Sequence, residues 1–291
     1  MPPSRIRSCY LAERMVWGGI RGAKPHDIGL SAGGKEMVGE TYLPKLVGVP
    51  PGLRQGRNVY EGYQRGWGLQ YGDLREKVLE DPLYTEAYAV AHDRTIMSPE
   101  NRMNIFLLLR LFVGKIPFGH IVEYGAYRGG NAIFMAYVVK KLYPGMMVFA
   151  CDTFEGMPES DKNVDAHSEG DFSDVDLDTL QARVDELNLD NLILVKGLFE
   201  NTNDDVMARA KNIRLAHIDC DIASAVRSSY EGVKPYMVEG GYIVFDDATT
   251  PSCIGATEVV EDLLIRRDGL NSEQIWPHFV FRAFKSTFQR D

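Results

Sequence analysis

The chain has 291 residues, of which 45% are hydrophobic and 25% charged, and its formal net charge is −9. This composition is typical of a globular protein with enough apolar side chains for a core, and the negative charge argues against nucleic acid or an anionic membrane as the main partner. The most apolar run, Ile105 to Val113, is too short to span a bilayer.

No signal peptide is recognisable at the N-terminus. The four cysteines show neither disulfide nor metal-ligand spacing. We therefore expect the protein in a reducing cytoplasm.

The first part of the chain differs from the rest. Residues 1–70 carry scattered glycine and proline and little periodicity, yet Tyr60 to Tyr71 is rich in aromatic side chains. This content is high for a disordered segment. We therefore predict an irregular arm that covers the active site or a partner subunit.

Helical spacing begins after this arm. Asp73 to His92 is predicted to form two helices, since Pro82 interrupts the pattern. A further helix is expected from Ser98-Pro99-Glu100 to Val113, with serine as the N-cap and proline in the first turn. We divide the chain into an N-terminal extension, residues 1–95, and a main domain, residues 96–291.

The main domain alternates apolar runs with helical stretches. The predicted strands are Ile121–Gly125, Met147–Thr153, Leu192–Gly197, Ile213–Asp221 and Gly241–Asp247. The predicted helices are Asn131–Leu142, Leu177–Leu187, Asp204–Ala210, Ser224–Tyr236 and Ala256–Arg267. This alternation predicts an α/β fold with a buried parallel sheet and right-handed crossovers. The tail, Ile275–Phe288, alternates apolar and polar residues, which suits an antiparallel hairpin at the sheet edge.

A long acidic loop, Glu155–Asp178, follows the second strand. Loops of this length inside a compact domain are usually functional lids or disordered segments. Its position next to the ligand crevice of such a sheet favours a lid, and a solvated disordered loop is the alternative.

The segment from Ile121 to Leu142 has the pattern of a strand, a glycine turn and a helix. Gly125, Gly129 and Gly130 form a turn of the kind that brings backbone N–H groups against a nucleotide-like ligand. The spacing is not the dinucleotide fingerprint, so an ordinary turn is an alternative. Asp152 ends the second strand, where a carboxylate would hold a ribose diol or cap a turn.

Carboxylates also follow the fourth and fifth strands. Asp219 and Asp221 end one strand, and Asp246 and Asp247 end the other. Neighbouring strands lie about 4.8 Å apart, so these groups would repel unless a cation lies between them. Oxygen ligands favour Mg²⁺ or Ca²⁺. Capping of the following turn and helix is the alternative, but it does not account for all four groups.

These motifs together resemble the macrocin O-methyltransferase family. The resemblance extends from about Ser98 to Leu264 and keeps all motifs in order. The segments that carry it are Glu123–Gly130, Cys151–Pro158, Val195–Phe199, Ile218–Asp221 and Glu239–Asp247.

The resemblance implies a Rossmann-like methyltransferase fold, with a mostly parallel seven-stranded sheet and an antiparallel edge hairpin. It also implies S-adenosylmethionine and Mg²⁺ as cofactors, a homo-oligomer, and a sugar or polyhydroxylated natural product as the methyl acceptor. The cofactor site it implies is lined by Glu123, Gly125, Ala126, Tyr127, Gly130, Asp152, Thr153, Phe154 and Gly197. The metal ligands it implies are Asp219, Asp246 and Asp247, with Asp219 also the candidate base.

The sequence departs from the family at two places that leave the acceptor open. Tyr127 stands where the family has a tryptophan, and Ile222-Ala223 replace a region that carries a tyrosine. Asp221 and the histidines remain alternative bases. His217 is expected to be structural, whereas His167 lies in the acidic loop and is placed to reach a substrate.

Two other functions stay open. The first is a carboxyl- or N-methyltransferase on the same fold that needs no metal. The second is a nucleotide-sugar enzyme or binding protein that uses the same crevice.

Overall fold

The computed structural model describes residues 66, 68–71 and 73–284, which belong to one unit that spans Met37–Asp291. The predicted arm therefore lies outside the described residues, apart from its last turn, Gly68–Tyr71. The end of the predicted C-terminal hairpin lies outside them as well.

A mixed sheet forms the centre of the fold. Its strands are β1 His120–Tyr124, β2 Val148–Asp152, β3 Leu192–Lys196, β4 Ile213–Ile218, β5 Met237–Phe245, β6 Ser272–Gln274 and β7 Phe279–Ala283. The seven strands lie in the order β3-β2-β1-β4-β5-β7-β6. β1 to β5 are parallel, and β7 runs antiparallel to both β5 and β6. The predicted seven-stranded, mostly parallel sheet with an antiparallel edge hairpin is confirmed.

Helices cover both faces of this sheet. They are α1 Leu74–Glu80, α2 Pro82–Ala91, α3 Pro99–Leu107, α4 Gly130–Leu142, α5 Leu177–Glu186, α6 Phe199–Ala210, α7 Ala223–Val233 and α8 Ile254–Val259. α3 continues as π-helical and 3₁₀ turns, Leu108–Phe112 and Val113–Lys115, and α8 continues as the π-helical segment Val260–Arg267. None of the described helices is long and apolar enough to cross a membrane.

The helix starts follow from local chemistry. Asp81 caps α2 by accepting the Leu83 N–H at 2.9 Å, and Pro82 occupies the first turn of that helix. The predicted break at this proline is confirmed. Ser98 caps α3 by accepting the Asn101 N–H at 3.1 Å, as its sequence predicts.

Two hydrophobic clusters pack on opposite faces of the sheet. One contains Ile121 of β1 with core residues of α1 to α5, and the other contains Val122 with core residues of α6, α7 and α8. Successive strand residues point to opposite faces, so the continuous apolar runs of the sequence supply both clusters. α2 joins the first cluster through Tyr84, whose ring centroid lies 5.7 Å from that of Phe134 in α4. The division at residue 95 stays a prediction about domain roles.

Four predicted boundaries were wrong by several residues. β4 ends at Ile218 rather than Asp221. α6 begins at Phe199 rather than Asp204, because Phe199 is buried against Tyr124, with ring centroids 5.1 Å apart, and so anchors a polar first turn. β5 begins at Met237 rather than Gly241, since Met237 already pairs with β4 before an irregularity in the register. The hairpin begins at Ser272 rather than Ile275.

Candidate functional site

The sheet order reverses between β1 and β4, and such a reversal opens a crevice at the carboxyl ends of the strands. The Asp219 N–H donates to the Tyr124 carbonyl at 2.9 Å, which joins the two strand ends. Gly125 has a φ of +89°, and a Cβ there would lie 1.6 Å from the Asp219 carbonyl oxygen. The glycine turn and the first predicted metal ligand are therefore in direct backbone contact.

The rest of the glycine turn leads into α4. Gly129 has a φ of +78° and caps the helix. A Cβ on Gly130 would lie 2.7 Å from the Arg94 carbonyl, so the helix start packs closely against the chain that precedes α3. Ala126 is buried between β1 and β2, and its N–H donates to the Cys151 carbonyl at 3.3 Å.

Asp152 supports two turns at once. Its carboxylate accepts the N–H of Tyr127 at 2.8 Å and that of Phe154 at 2.7 Å, and both residues have positive φ values, +49° and +52°. Burial raises the pKa of Asp152, while these two hydrogen bonds act in the opposite direction. Asp152 therefore caps turns. Each carboxylate oxygen accepts more than one hydrogen bond, so these two bonds do not exhaust its capacity as an acceptor.

The remaining predicted cofactor residues surround Asp152. The Gly197 N–H donates to the Asp152 carbonyl at 2.9 Å. The Thr153 hydroxyl donates to the Gly156 carbonyl at 2.6 Å. The structure thus brings the ends of β1, β2 and β3 together as one continuous edge of the crevice.

Glu123 lies beneath the glycine turn and is only 1% exposed. Its Oε1 accepts the Asn131 side-chain amide at 2.6 Å and lies 3.2 Å from His217 Nδ1. Glu123 Oε2 and His217 Nε2 have no hydrogen bond within the described part of the chain. His217 is fully buried, which agrees with the structural role predicted for it.

The predicted metal ligands form one cluster. Carboxylate oxygens of Asp219, Asp246 and Asp247 all lie within 4.8 Å of one another. Asp219 follows β4, and Asp246 and Asp247 follow the neighbouring β5. Three hard oxygen ligands in one cluster suit a cation such as Mg²⁺.

The cluster is electrostatically strained as it stands. Burial, with the nearby charges of Asp246 and Asp247, raises the pKa of Asp219 well above its usual value. Burial, with the charges of Asp221 and Asp246, does the same to the pKa of Asp247. Burial also acts to raise the pKa of Asp246, but the hydrogen bonds from His278 and Asn101, together with the influence of His278 and His217 as neighbouring bases, outweigh it and lower that pKa. A bound cation would relieve this repulsion.

Two residues at this cluster were missed from the sequence. Asn101 Nδ2 donates to Asp246 Oδ1 at 2.7 Å, and His278 Nε2 lies 2.8 Å from the same oxygen. His278 is fully buried, although Ile275, three residues earlier, is 57% exposed. The sequence signal was a polar residue inside the apolar tail, beside the strand that pairs with β5.

The acidic loop is tied to both sides of the crevice. The Tyr127 hydroxyl donates to Asp174 Oδ1 at 2.6 Å, and Arg128 forms an ion pair with the same carboxylate. Nearer the start of the loop, the buried side chain of Asp165 accepts the N–H of Ala223, at the start of α7, at 2.9 Å. These contacts lay the loop along the crevice, as the lid hypothesis requires.

The acidic loop also brings His167 to the edge of the metal cluster. His167 Nε2 lies 3.6 Å from Asp221 Oδ1, and the Cys253 thiol donates to that oxygen at 3.5 Å. The Asp221 N–H donates to Asp247 Oδ2 at 2.9 Å. The Asp221 side chain therefore contacts the loop through His167, while its charge also acts on Asp247 in the cluster.

Comparisons with known proteins agree with this geometry. Residues 94–264, more than half of the chain, match the family model described as macrocin-O-methyltransferase (TylF). The 8-demethyl-8-(2,3-dimethoxy-alpha-L-rhamnosyl)-tetracenomycin-C 4'-O-methyltransferase of Streptomyces olivaceus is 29% identical over 147 residues, which are 46% of this chain and 55% of the relative. The match thus spans about half the length of this curated relative.

Solved structures share the fold. The calicheamicin methyltransferase CalS11 is 19% identical with a TM-score of 0.56, over 82% of this chain and 99% of that chain. The O-methyltransferase NovP is 20% identical with a TM-score of 0.55, over 73% of this chain and 95% of that chain. At these identities the likeness concerns the Rossmann-like fold.

Proposed function

Because the chain belongs to the macrocin O-methyltransferase family, as its motifs predict, we propose that it transfers the methyl group of S-adenosylmethionine to a hydroxyl group. The acceptor is a sugar or a polyhydroxylated natural product, and Mg²⁺ is the second cofactor. The observation that carries this proposal is the cluster of three carboxylates beside the glycine turn. A hydroxyl acceptor must lose a proton, and the cluster lies next to the site where the methyl donor would bind.

In this proposal the glycine turn and the three strand ends beside it hold the methyl donor. Asp152 keeps the turns of Tyr127 and Phe154 in place and accepts hydrogen bonds from the ribose. The small residues Gly125, Ala126 and Gly130 let the backbone approach the cofactor, and Gly197 and Thr153 border the adenosine. Within the residues that the structure describes, Glu123 Oε2 is a buried acceptor without a donor, so it fits a positively charged amino group.

Asp219, Asp246 and Asp247 would hold Mg²⁺. The ion supplies charge stabilisation for an oxygen that is losing its proton. Asp219 also accepts that proton in this proposal, because its carboxylate lies in the same cluster that would hold the ion and the acceptor hydroxyl. The hydroxyl oxygen then forms a bond to the methyl carbon as the carbon–sulfur bond breaks.

Asp221 is the second candidate for the proton acceptor. Burial raises its pKa, and its side chain lies beside His167 in the acidic loop rather than in the metal cluster. Asp221→Asn separates the two candidates. If Asp219 is the acceptor, the variant keeps most of its activity at saturating Mg²⁺. If Asp221 is the acceptor, turnover is lost while the affinity for Mg²⁺ persists.

The deciding experiment measures transfer of labelled methyl groups from S-adenosylmethionine to a panel of rhamnosylated natural products and nucleotide-linked rhamnose. We expect activity to require Mg²⁺ and to disappear in Asp219→Ala, Asp246→Ala and Asp247→Ala. Calorimetric binding of S-adenosylhomocysteine is the control and should stay nearly unchanged in these variants. Full activity on these acceptors in excess chelator would overturn the metal-dependent mechanism and move the base away from the carboxylate cluster, with His167 examined first.

Failure to bind S-adenosylhomocysteine at all would overturn the methyltransferase proposal. Binding of a nucleotide-linked sugar in its place would favour the nucleotide-sugar alternative. The same protein preparation tests the proposal of a homo-oligomer by light scattering, and the proposed partners include neither nucleic acid nor membrane.

A further inference from the structure

We propose that Asn101 and His278 are positioning residues for the metal site, which hold one oxygen of Asp246 so that its other oxygen faces the cation. This inference rests on the proposed function. Both side chains donate to Oδ1, at 2.7 Å and 2.8 Å. Within the described residues, Asp246 Oδ2 receives no such hydrogen bond.

A hydrogen bond from Ser98 fixes the orientation of the Asn101 side-chain amide. The Ser98 hydroxyl donates to Asn101 Oδ1 at 2.8 Å, which identifies the other side-chain atom as the amide nitrogen and points it at Asp246. Ser98 is also the N-cap of α3. The residue that starts the helix therefore also sets the direction of the hydrogen bond to the metal ligand.

Asp246 determines which nitrogen of His278 carries the proton. The carboxylate oxygen Oδ1 can only accept, so the ring nitrogen 2.8 Å from it, Nε2, donates and carries the proton. The other nitrogen of the neutral ring, Nδ1, then accepts from Asn104 Nδ2 at 2.9 Å. Asn101 and Asn104 stand three residues apart on α3, so one face of that helix reaches the carboxylate both directly and through the imidazole.

The sheet register brings His278 to this place. Phe245 of β5 pairs with Phe279 of β7, so the residue after the one strand and the residue before the other lie side by side. His278 lies beyond residue 264, where the match to the family model ends. One of the two residues that position Asp246 thus belongs to a hairpin outside the segment that matches the family model.

Ligands whose supporting hydrogen bonds are removed typically lose about 10–100-fold in metal affinity. The test is calorimetric titration of the full-length protein, saturated with S-adenosylhomocysteine, with Mg²⁺. We expect Asn101→Ala and His278→Leu to weaken Mg²⁺ binding by at least about tenfold. His278→Gln keeps a donor at the position of Nε2 and should bind within about threefold of the wild type.

Glu100→Gln is the matched control. Glu100 neighbours Asn101 on α3, but its side chain forms an ion pair with Arg75 and does not contact Asp246. It should leave Mg²⁺ affinity unchanged. Unfolding temperatures in chelator report folding separately, and Asn101→Ala, which is only half-buried, keeps the test available if His278→Leu fails to fold.

Wild-type Mg²⁺ affinity in Asn101→Ala would overturn the positioning role. Equal losses of Mg²⁺ affinity in His278→Gln and His278→Leu would overturn the positioning role of the histidine. Such a result would mean that His278 acts only through packing, because a hydrogen-bond donor in the glutamine variant would then make no difference. If the wild-type protein binds no Mg²⁺, the proposed function fails instead, so the two failures are distinguishable.

Discussion

Asp219→Asn tests the electrostatics of the metal cluster most directly, because it removes one charge while nearly preserving the side-chain volume. The clustered carboxylate oxygens lie within 4.8 Å of one another. Two unit charges at that distance repel by roughly 3 kcal/mol at an effective dielectric constant of about 20. Burial and this repulsion are the causes that raise the pKa of Asp219. We therefore expect the metal-free variant to be about 1–3 kcal/mol more stable than the metal-free wild type at neutral pH.

The pH dependence has a definite sign. The folded-state pKa of Asp219 lies above that of an unfolded aspartate, which is about 3.9. Its contribution to stability is therefore complete below about pH 4 and is lost as the pH rises through the folded-state pKa. As the pH rises from about 4 through this folded-state pKa, the metal-free wild type should lose stability. Asp219→Asn should lose less stability over the same pH range.

Thermal unfolding in chelator and in Mg²⁺ measures both effects. A gain of 1–3 kcal/mol corresponds to roughly 2–10 °C in unfolding temperature for a chain of this size. Mg²⁺ should raise the unfolding temperature of the wild type but barely that of the variant. Asp221→Asn is the control and should keep the Mg²⁺ response. A variant that is no more stable than wild type in chelator, and still stabilised by Mg²⁺, would refute the reasoning.

Three further predictions concern the turn, the loop and the stability of the C-terminal part. Gly125→Ala places a Cβ 1.6 Å from the Asp219 carbonyl oxygen at a φ of +89°, so denaturant titration should show that the free energy of unfolding falls by more than about 3 kcal/mol. A variant as stable as the wild type would mean that the ends of β1 and β4 can separate. Tyr127→Phe removes the hydroxyl bond to Asp174 and should speed proteolysis of the acidic loop, whereas unchanged cleavage would show that this bond does not restrain it. Burial opposes ionisation of Asp268, but hydrogen bonds from two cationic side chains and a tyrosine lower its pKa to about 2. The ionised Asp268 therefore contributes its full stabilisation above about pH 4, and this stabilisation is lost as the pH falls towards the folded-state pKa of about 2. Asp268→Asn should lower the free energy of unfolding by about 1–2 kcal/mol at pH 7 and by progressively less in acid. An equal cost at pH 7 and pH 3 would contradict this assignment of the pKa.

The parts of the site that could be predicted lie at the ends of parallel strands. Asp152 and Asp246 follow apolar runs, and Asp219 follows a run interrupted by Arg214 and His217. Parallel strands bring such positions to one edge of the sheet. Strand position alone therefore predicted which carboxylates converge. It did not predict how Asp152 is used, because its bonds to backbone N–H groups depend on the path of two turns.

The supporting residues could not be predicted in this way. Asn101 reaches Asp246 through the packing of α3 on the sheet, and His278 reaches it through an antiparallel register. Neither packing nor register has a local signature. The start of α6 at Phe199 was missed for a similar reason, since a tertiary contact with Tyr124 outweighs the polar sequence of its first turn.

The acidic loop is held to the glycine turn by the carboxylate of Asp174 and by the ring of Phe172, whose centroid lies 5.4 Å from that of Tyr127. The side chain of Asp174 is 62% exposed and that of Arg128 is 39% exposed. Exposed ion pairs contribute at most about 1 kcal/mol and weaken as salt is added. Opening of the crevice should therefore become easier as ionic strength rises. If departure of the demethylated donor limits turnover, the enzyme would work faster in moderate salt, with no change in the chemical step itself.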